Sequence, residues 1–238
     1  MYPNAQAILD KIDQVSDATR RVGQSEARRF GLAFEPSIFY GQLPTLVRHL
    51  KSMDHLHVSL HELDAAAQIE ALRTGRIDIG FGRMVVPNVG DDILQYALFQ
   101  EPMLVALPSS HPLIGQEITL RALSQLPFIA YPIEPKPNFS DICLGIFAQA
   151  AYDIRIVQHV NEVQTALSLV ASDMGFTLVP EQVKRVNREG VVFAPFSEES
   201  ITSSVVCCRR NEPGDAVMGN TLAFLDQLVD NRLSGRYP

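Results

Sequence analysis

The stretch RRFGLAFEPSIFYGQLPTLVRHL, residues 28–50, joins a strand-like run to a helical one. Apolar and aromatic residues dominate RRFGLAF, whereas the apolar residues of LPTLVRHL recur at helical spacing. Ser37 stands at the junction. A serine there either caps a helix or, beside the free amides of a first helical turn, helps to hold an anion. This stretch therefore decides the fold class and supplies the first candidate binding residue.

The same order of strand and helix continues along the chain. HLHVSLHEL is strand-like, DAAAQIEALRTG is helical with a terminal Gly75, and RIDIGFG is strand-like. Two adjoining strand-like runs, ILQYALFQ and EPMLVALPSS, separate this series from a second one. The second series predicts helices in TLRALSQL, FSDICLGIFAQAA, NEVQTALSLVASDM and DAVMGNTLAFLDQLVDNRL, and strands in PFIAY, DIRIVQHV, GFTLVP, VVFAPF and ITSSVVCCRR. Such alternation predicts βαβ units in two small α/β lobes, with ligands bound in the crevice between them.

The first 26 residues differ from the rest because they contain no strand-like run. Apolar residues recur there at steps of four and three while charged and amide residues fill the other faces, which predicts an amphipathic helix. Its apolar stripe is one helix wide, so it needs a cover: a partner helix, another subunit, or its own domain. The stripe consists of Ile8, Ile12, Val15, Thr19 and Val22.

The composition of the 238-residue chain is that of a globular protein, with 46% hydrophobic and 20% charged residues. No apolar run approaches the ~20 residues of a membrane span, and the N-terminus lacks the pattern of an export signal. We therefore expect a cytoplasmic protein without membrane contact. The net charge of −7 argues against DNA binding by this segment alone. Cys143, Cys207 and Cys208 are neither an even disulfide set nor spaced as zinc ligands, so they are predicted to fill the core.

Signatures of catalysis are absent from the sequence. It contains no G-x-S-x-G elbow, no P-loop and no dinucleotide fingerprint. We therefore predict no catalytic residue, no cofactor and no bound metal. Three histidines alternate along the strand HLHVSLHEL, where a metal site is the alternative to a solvated face. The solvated face is preferred because side chains alternate along a strand. If Leu56, Val58 and Leu60 face the core, the opposite, outward face carries His55, His57 and His61.

Two further segments present groups suited to an anion. Arg83 closes the strand IDIGFGR, where it can pair with a carboxylate of a ligand or form a salt bridge within the protein. In PIEPKPNFS, residues 132–140, prolines stiffen the approach to a helix that begins near Phe139. The amides of Asn138 and Phe139 are then presented rigidly, unless the segment is an ordinary proline-bounded loop.

These segments together resemble the effector-binding region of LysR-type transcriptional regulators. The resemblance rests on RRFGLAFEPSIFYGQLPTLVRHL, QIEALRTGRIDIGFGR, EPMLVALPSSHPL and EVQTALSLVASDMGFTLVP, whose order and spacing are specific although each run alone is weak. The GFGR run, the serine at the first helix and the P-K-P-x-F segment are most similar to the branch that senses muconates, chloromuconates or benzoate in aromatic degradation. The resemblance covers the chain from about Arg28 to the final helix.

The resemblance implies an α/β fold with two Rossmann-like lobes, similar to the periplasmic binding proteins of type II. Residues 28–98 and 204–238 would form the first lobe and residues 99–203 the second, with the ligand between them. Residues 1–26 would be the end of a linker helix used in dimerisation. A DNA-binding winged helix-turn-helix precedes that helix in this family, and it is expected to be missing from this chain.

The resemblance also implies an effector site without catalytic residues. Ser37 and the two amides after it would receive a carboxylate, while Asn138 and Phe139 would contribute amides and a ring from the other lobe. Where this branch often has a hydroxyl residue opening the second helix, this chain reads Asp64-Ala65-Ala66-Ala67, so Asp64 would repel a dicarboxylate if it pointed inward. The implied effector-binding residues are Ser37, Ile38, Phe39, Ala65, Ala66, Arg83, Pro137, Asn138, Phe139, Glu162 and Val163.

The function implied is that of an effector-sensing domain, which binds a small organic acid resembling muconate, chloromuconate or benzoate to control transcription. The implied partners are a second copy of the chain in a homodimer or homotetramer, DNA through the missing N-terminal domain, and RNA polymerase. Two alternatives stay open from the residues. One is a solute-binding receptor of a transport system, and the other is an enzyme on the same fold with Arg83, His159 or Glu162 as acid or base.

Overall fold

The elements of the fold are taken from a computed structural model, which describes residues 28–198 and 201–233. The predicted linker helix, residues 1–26, lies outside the described residues. The strands are β1 Arg28–Phe34, β2 Leu56–Glu62, β3 Ile79–Gly82, β4 Ile93–Pro108, β5 Pro127–Ala130, β6 Arg155–His159, β7 Thr177–Pro180, β8 Val191–Pro195 and β9 Thr202–Arg210. The helices are α1 Leu43–Lys51, α2 Ala65–Arg73, α3 Leu120–Leu123, α4 Phe139–Gln149, α5 Val163–Ala171 and α6 Ala216–Leu233, with 3-10 turns at Pro36–Tyr40 and Glu181–Val186.

The strands pair in the order β2-β1-β3-β9-β4-β7, and β8 also pairs with β4. β1 runs parallel to β2 and β3, as βαβ units require, whereas β9 runs antiparallel to both β3 and β4. β5 and β6 form a parallel pair that is bridged to the strand β7 region through Phe128 and Phe176. The alternation of strands and helices predicted from the sequence is therefore confirmed. The difference is that the two predicted strands ILQYALFQ and EPMLVALPSS form one continuous strand.

That one strand is β4, which is 16 residues long and merges the runs ILQYALFQ and EPMLVALPSS. Its first part, from Ile93 to Pro102, pairs with β9, and its last part, from Met103, pairs with β7 and β8. The pairing partner thus changes in the middle of a continuous strand. β4 and β9 connect a first lobe, built on β1 to β3, to a second lobe, built on β5 to β8.

Each lobe has its own apolar core. In the first lobe α1 buries Leu43, Leu46 and Leu50, which fall on one helical face, and α6 packs against the same core. In the second lobe the rings of Phe128 and Phe176 lie 5.2 Å apart between their centroids at the centre of the largest cluster. All three cysteines are buried and free, which confirms their predicted place in the core.

The strand β2 corrects one expectation. Leu60 was predicted to face the core, yet it is 42% exposed, while His61 is half-buried with its Nε2 3.2 Å from the hydroxyl of Ser59. β2 is the edge strand of its sheet, so its side chains are covered less completely than those of β1. Within the described residues, no group of three or more histidine, cysteine or acidic side chains is placed to hold a metal ion. No helix in the same part of the chain is long and apolar enough to cross a membrane.

Candidate functional site

A cleft of about 300 Å³ lies between the two lobes, where strand ends and helix starts face each other. This is the position at which α/β folds of this kind bind small molecules. The first lobe contributes the segments Glu35 to Ser37 and Glu62 to Asp64. The second lobe contributes Tyr131, Pro132, Glu134, Pro135, Pro137, Asn138, Phe139, Asn161, Glu162 and Val163.

The cleft brings together six of the eleven residues that the sequence proposed for an effector site, namely Ser37, Pro137, Asn138, Phe139, Glu162 and Val163. The other five lie close by but do not line it. Ile38 is buried in the first core, and the Phe39 ring is 38% exposed. Ala65 and Ala66 open α2 behind Asp64, and Arg83 lies beneath Ser37. The role of these residues in binding an effector stays a prediction.

The Ser37 side chain serves the fold in a way that its position in the sequence does not predict. It lies inside the 3-10 turn Pro36–Tyr40, whose cap position is occupied by Glu35 instead. Its hydroxyl oxygen accepts a hydrogen bond of 2.7 Å from Nε of Arg83. The amide of Ile38 is also engaged, because it donates to the carbonyl oxygen of Glu35 at 2.9 Å. Ser37 therefore joins the cleft wall to a buried guanidinium.

That guanidinium is the centre of a buried polar network. Arg83 forms an ion pair of 2.9 Å with Glu101, and the two side chains are 1% and 2% exposed. A third side chain, that of Ser203 on β9, lies 3.4 Å from Nη1 of Arg83. The second carboxylate oxygen of Glu101 accepts the amide of Gln182 at 2.9 Å, so the network reaches the second lobe. Arg83 thus forms the internal salt bridge that the sequence left open as an alternative, and it braces Ser37.

Glu35 was missed by the sequence reasoning, although it directly follows a strand and precedes the serine. Its carboxylate accepts the amide of Arg83 at 3.0 Å and lines the cleft. Burial raises the pKa of this carboxyl from 4.5 to about 7, although the positive charge of Arg83 and hydrogen bonds from the amides of Arg83 and Ala65 act in the opposite direction. The negative charge of Asp64 raises the pKa further. A half-buried carboxyl group at the floor of the cleft is therefore sensitive to what the cleft contains.

The second lobe presents the start of α4 to the cleft. Asn138 caps this helix, because its Oδ1 accepts the amide of Ser140 at 3.0 Å and the Asp141 carboxylate accepts the Asn138 amide at 2.8 Å. The Asn138 side chain also donates to the carbonyl of Pro135 at 2.8 Å. The predicted helix start at Phe139 is thus confirmed, and the cap leaves the Phe139 amide without an acceptor among the described residues.

Two aromatic rings and a second helix start complete this wall. The rings of Phe139 and Tyr131 lie 5.4 Å apart between their centroids, and both residues line the cleft. α5 begins at Val163 directly after Glu162, whose side chain makes no cap hydrogen bond. The first-turn amides of α5 therefore face the cleft region without a side-chain acceptor. An aromatic surface beside free amides suits a flat molecule that carries a carboxylate.

An α/β domain of two lobes, joined by two antiparallel strands and enclosing a cleft at strand and helix ends, defines a ligand-binding domain of the type II periplasmic-binding-protein architecture. The model of the LysR substrate binding domain matches residues 23–230. The chain therefore belongs to the LysR substrate-binding domain family, and it is the effector-binding domain of a LysR-type transcriptional regulator, as its resemblance indicated.

Similar proteins and structures agree with this family. The chain is 35% identical over 220 residues to the transcriptional regulator CatR of Pseudomonas putida, covering 92% of this chain and 75% of CatR. It is 32% identical to the transcriptional regulator BenM of Acinetobacter baylyi, over 88% of this chain and 69% of BenM. The BenM effector-binding domain with its effector benzoate superposes with a TM-score of 0.81 at 28% identity, covering 90% of this chain and 96% of that one. These relatives are named regulators and not enzymes, which confirms the absence of an enzymatic function predicted from the sequence.

Proposed function

We propose that this domain binds a small aromatic organic acid in the cleft and that binding changes the angle between the lobes to control transcription. The observation that carries the proposal is the pairing of the rings of Phe139 and Tyr131 with the uncapped start of α5 in one cleft of about 300 Å³. The amides can receive a carboxylate while the rings cover an aromatic face. The similarity to the BenM domain with its effector benzoate supports the same ligand class.

Among the acids predicted from the sequence, a monocarboxylate of the benzoate type agrees better with this cleft than muconate or chloromuconate. A second carboxylate of the ligand would meet the side chains of Glu35 and Asp64 on the first lobe. The negative charges of these side chains and of the second carboxylate would repel each other, and burial strengthens the repulsion. The donors for a carboxylate lie instead on the second lobe, at the starts of α4 and α5.

The switch follows from a ligand that touches both lobes. Only a ligand that prefers one lobe arrangement can shift the equilibrium between two, however tightly it binds. A molecule held by amides of the second lobe and facing Ser37 on the first lobe has this preference, because only a closed cleft satisfies both ends. No covalent step is needed for this effect.

The remaining features of the regulator are part of the same proposal. Residues 28–98 with 204–238 and residues 99–203 would act as the two moving lobes. Residues 1–26 would form the linker helix of a homodimer or homotetramer, with DNA bound through an N-terminal winged helix-turn-helix and RNA polymerase as a further contact. Such a regulator works in the cytoplasm.

The proposal is tested by titrating benzoate and cis,cis-muconate into the purified chain by calorimetry. Asn161 is exposed and lines the cleft, so Asn161→Trp should obstruct the cleft and abolish binding without unfolding the protein. Gln149→Trp is the matched control, since this exposed residue ends α4 about 15 Å from the helix start at the cleft. Unchanged affinity in Asn161→Trp, or equal losses in both variants, would contradict binding in the cleft.

A further inference from the structure

We infer that the effector carries a protonated amine at the end opposite its carboxylate, so that the cleft selects an amino-bearing aromatic acid over a dicarboxylate. The inference rests on the proposed function, since it concerns the ligand of the same cleft. It begins from the charges of the side chains that line the cleft.

The charges of the cleft have one sign. Five of its lining residues are acidic, and none of the described residues that line it is lysine, arginine or histidine. Three of the acidic side chains are exposed around the opening and form no ion pair within the described part of the chain. The other two are half-buried on the first lobe. The exposed three are Glu62, Glu134 and Glu162, and the half-buried two are Glu35 and Asp64.

No cation of the described residues neutralises the half-buried pair from inside the cleft. Arg83 is the nearest guanidinium to Glu35, but its nitrogens point to Ser37, Ser203 and Glu101. It is 2% exposed and belongs to the wall behind the cleft. The direct contact between the two residues is a hydrogen bond of 3.0 Å, which the backbone amide of Arg83 donates to the carboxylate of Glu35. The charge of Arg83 is therefore matched mainly by Glu101.

The half-buried pair keeps capacity to accept hydrogen bonds. Glu35 accepts the backbone amides of Arg83 and Ala65, and Asp64 accepts the amide of Ala67 at 2.9 Å as the cap of α2. Two carboxylates offer about eight acceptor positions, of which these amides use three. An ammonium group has three donors and no acceptor, so it can bond to both carboxylates at once.

The two ends of the cleft therefore differ in chemistry. The second lobe has amide donors at helix starts and aromatic rings, whereas the first lobe has acceptors that carry negative charge. A ligand with a carboxylate, an aromatic ring and an ammonium group in that order matches all three. Benzoate matches two of them, and a dicarboxylate brings a like charge to Glu35 and Asp64.

The protonation state of Glu35 should also report the binding of an ammonium group. Without a cation in the cleft, burial and Asp64 favour the protonated form of Glu35, while Arg83 favours the ionised form; the Cys208 thiol is the other titratable group near this carboxyl. A bound ammonium group would favour the ionised carboxylate. Binding of an amino-bearing acid should then release a proton near pH 7, and its affinity should rise between pH 6 and pH 8.

The test uses three probes that differ only in the para substituent of benzoate: benzoate itself, 4-(aminomethyl)benzoate and terephthalate. Calorimetric titration of the full chain at pH 7.5 should give 4-(aminomethyl)benzoate about ten- to hundredfold tighter binding than benzoate, as expected for a charge-assisted hydrogen bond. Terephthalate should bind weakest. Titration in two buffers of different ionisation enthalpy should detect the released proton for 4-(aminomethyl)benzoate.

Two variants locate the preference. Glu35→Gln and Asp64→Asn keep shape and hydrogen-bonding groups, and asparagine caps a helix as well as aspartate does. Each should reduce the preference for 4-(aminomethyl)benzoate over benzoate at least fivefold, whereas Glu189→Gln, an exposed charge change outside the cleft, should leave it unchanged. Equal affinity for benzoate and 4-(aminomethyl)benzoate, or tighter binding of terephthalate, would overturn the inference and leave the proposed function standing. Binding of none of the three probes would overturn both.

Discussion

Replacement of Ser37 by alanine separates a structural role of this residue from a binding role. The change removes the acceptor of the 2.7 Å hydrogen bond from Nε of Arg83, and both residues are at least nine-tenths buried. A buried charged donor then lacks its partner. Hydrogen bonds to charged groups contribute ~1.5 to 3 kcal/mol, so the free energy of unfolding should fall by about 2 kcal/mol.

The loss is measured on the ligand-free protein by urea denaturation, followed by circular dichroism. In a chain of this size, about 2 kcal/mol corresponds to a decrease in Tm of roughly 4 to 8 °C. Ser110→Ala is the matched control, because Ser110 is exposed, and it should change stability by less than about 0.5 kcal/mol.

The same serine substitution in an Arg83→Met variant tests whether the hydrogen bond is the cause of the loss. In Arg83→Met the donor is gone, so adding Ser37→Ala should then cost less than about 1 kcal/mol. If Ser37→Ala is as stable as the unchanged protein, or if it costs the same with and without Arg83, the hydrogen bond does not stabilise the fold as argued.

Three further changes test other parts of the same site. Glu101→Gln leaves the Arg83 guanidinium buried without its counter-charge and should lower the free energy of unfolding by about 3 to 5 kcal/mol in urea denaturation, a loss that Glu117→Gln on the surface should not reproduce. Asn138→Ala removes the cap of α4 and should lower the free energy of unfolding by about 1 kcal/mol in urea denaturation; unchanged stability would argue against capping. The pKa of Glu35 is about 7 in the folded protein, above the ordinary value of 4.5, so between these pH values the folded state binds a proton that the unfolded state has lost. The free energy of unfolding should therefore fall by about 3 kcal/mol as the pH rises from 4.5 through 7. In Glu35→Gln, the urea denaturation midpoint should lack this dependence on pH.

Much of the fold could be predicted from periodicity, because local spacing decides whether a segment is a strand or a helix. The runs RRFGLAF and QIEALRTG each form the element that their spacing predicts. The continuity of β4 could not be predicted in this way. Its polar middle, Gln100 and Glu101, is typical of a boundary between two strands, and it is the pairing of these residues with Ser204 and Ser203 on β9 that makes it part of one strand.

The candidate site could be predicted where it depends on neighbours in sequence. The helix start at Phe139 follows from prolines and an asparagine within a few residues. The environment of Ser37 depends instead on Arg83, 46 residues away, and that of Arg83 depends on Glu101 and Gln182. Sequence spacing carries no signal of such distant pairs. Glu35 directly follows β1 and precedes Ser37, so its place at the cleft depends on neighbours in sequence and could have been predicted.

The same distant contacts link the cleft to the strand that connects the two lobes. Glu101 lies one residue before Pro102, where β4 exchanges its partner β9 for β7. Its carboxylate bonds to Arg83 on the first lobe and to the amide of Gln182 on the second. Ser37 lines the cleft and bonds to the same guanidinium. Ser37, Arg83 and Glu101 are buried, and breaking the ion pair would leave an uncompensated buried charge, so these three side chains should keep their relative positions. Under the proposed function, a ligand that repositions Ser37 would therefore act on the segment of β4 that connects the two lobes.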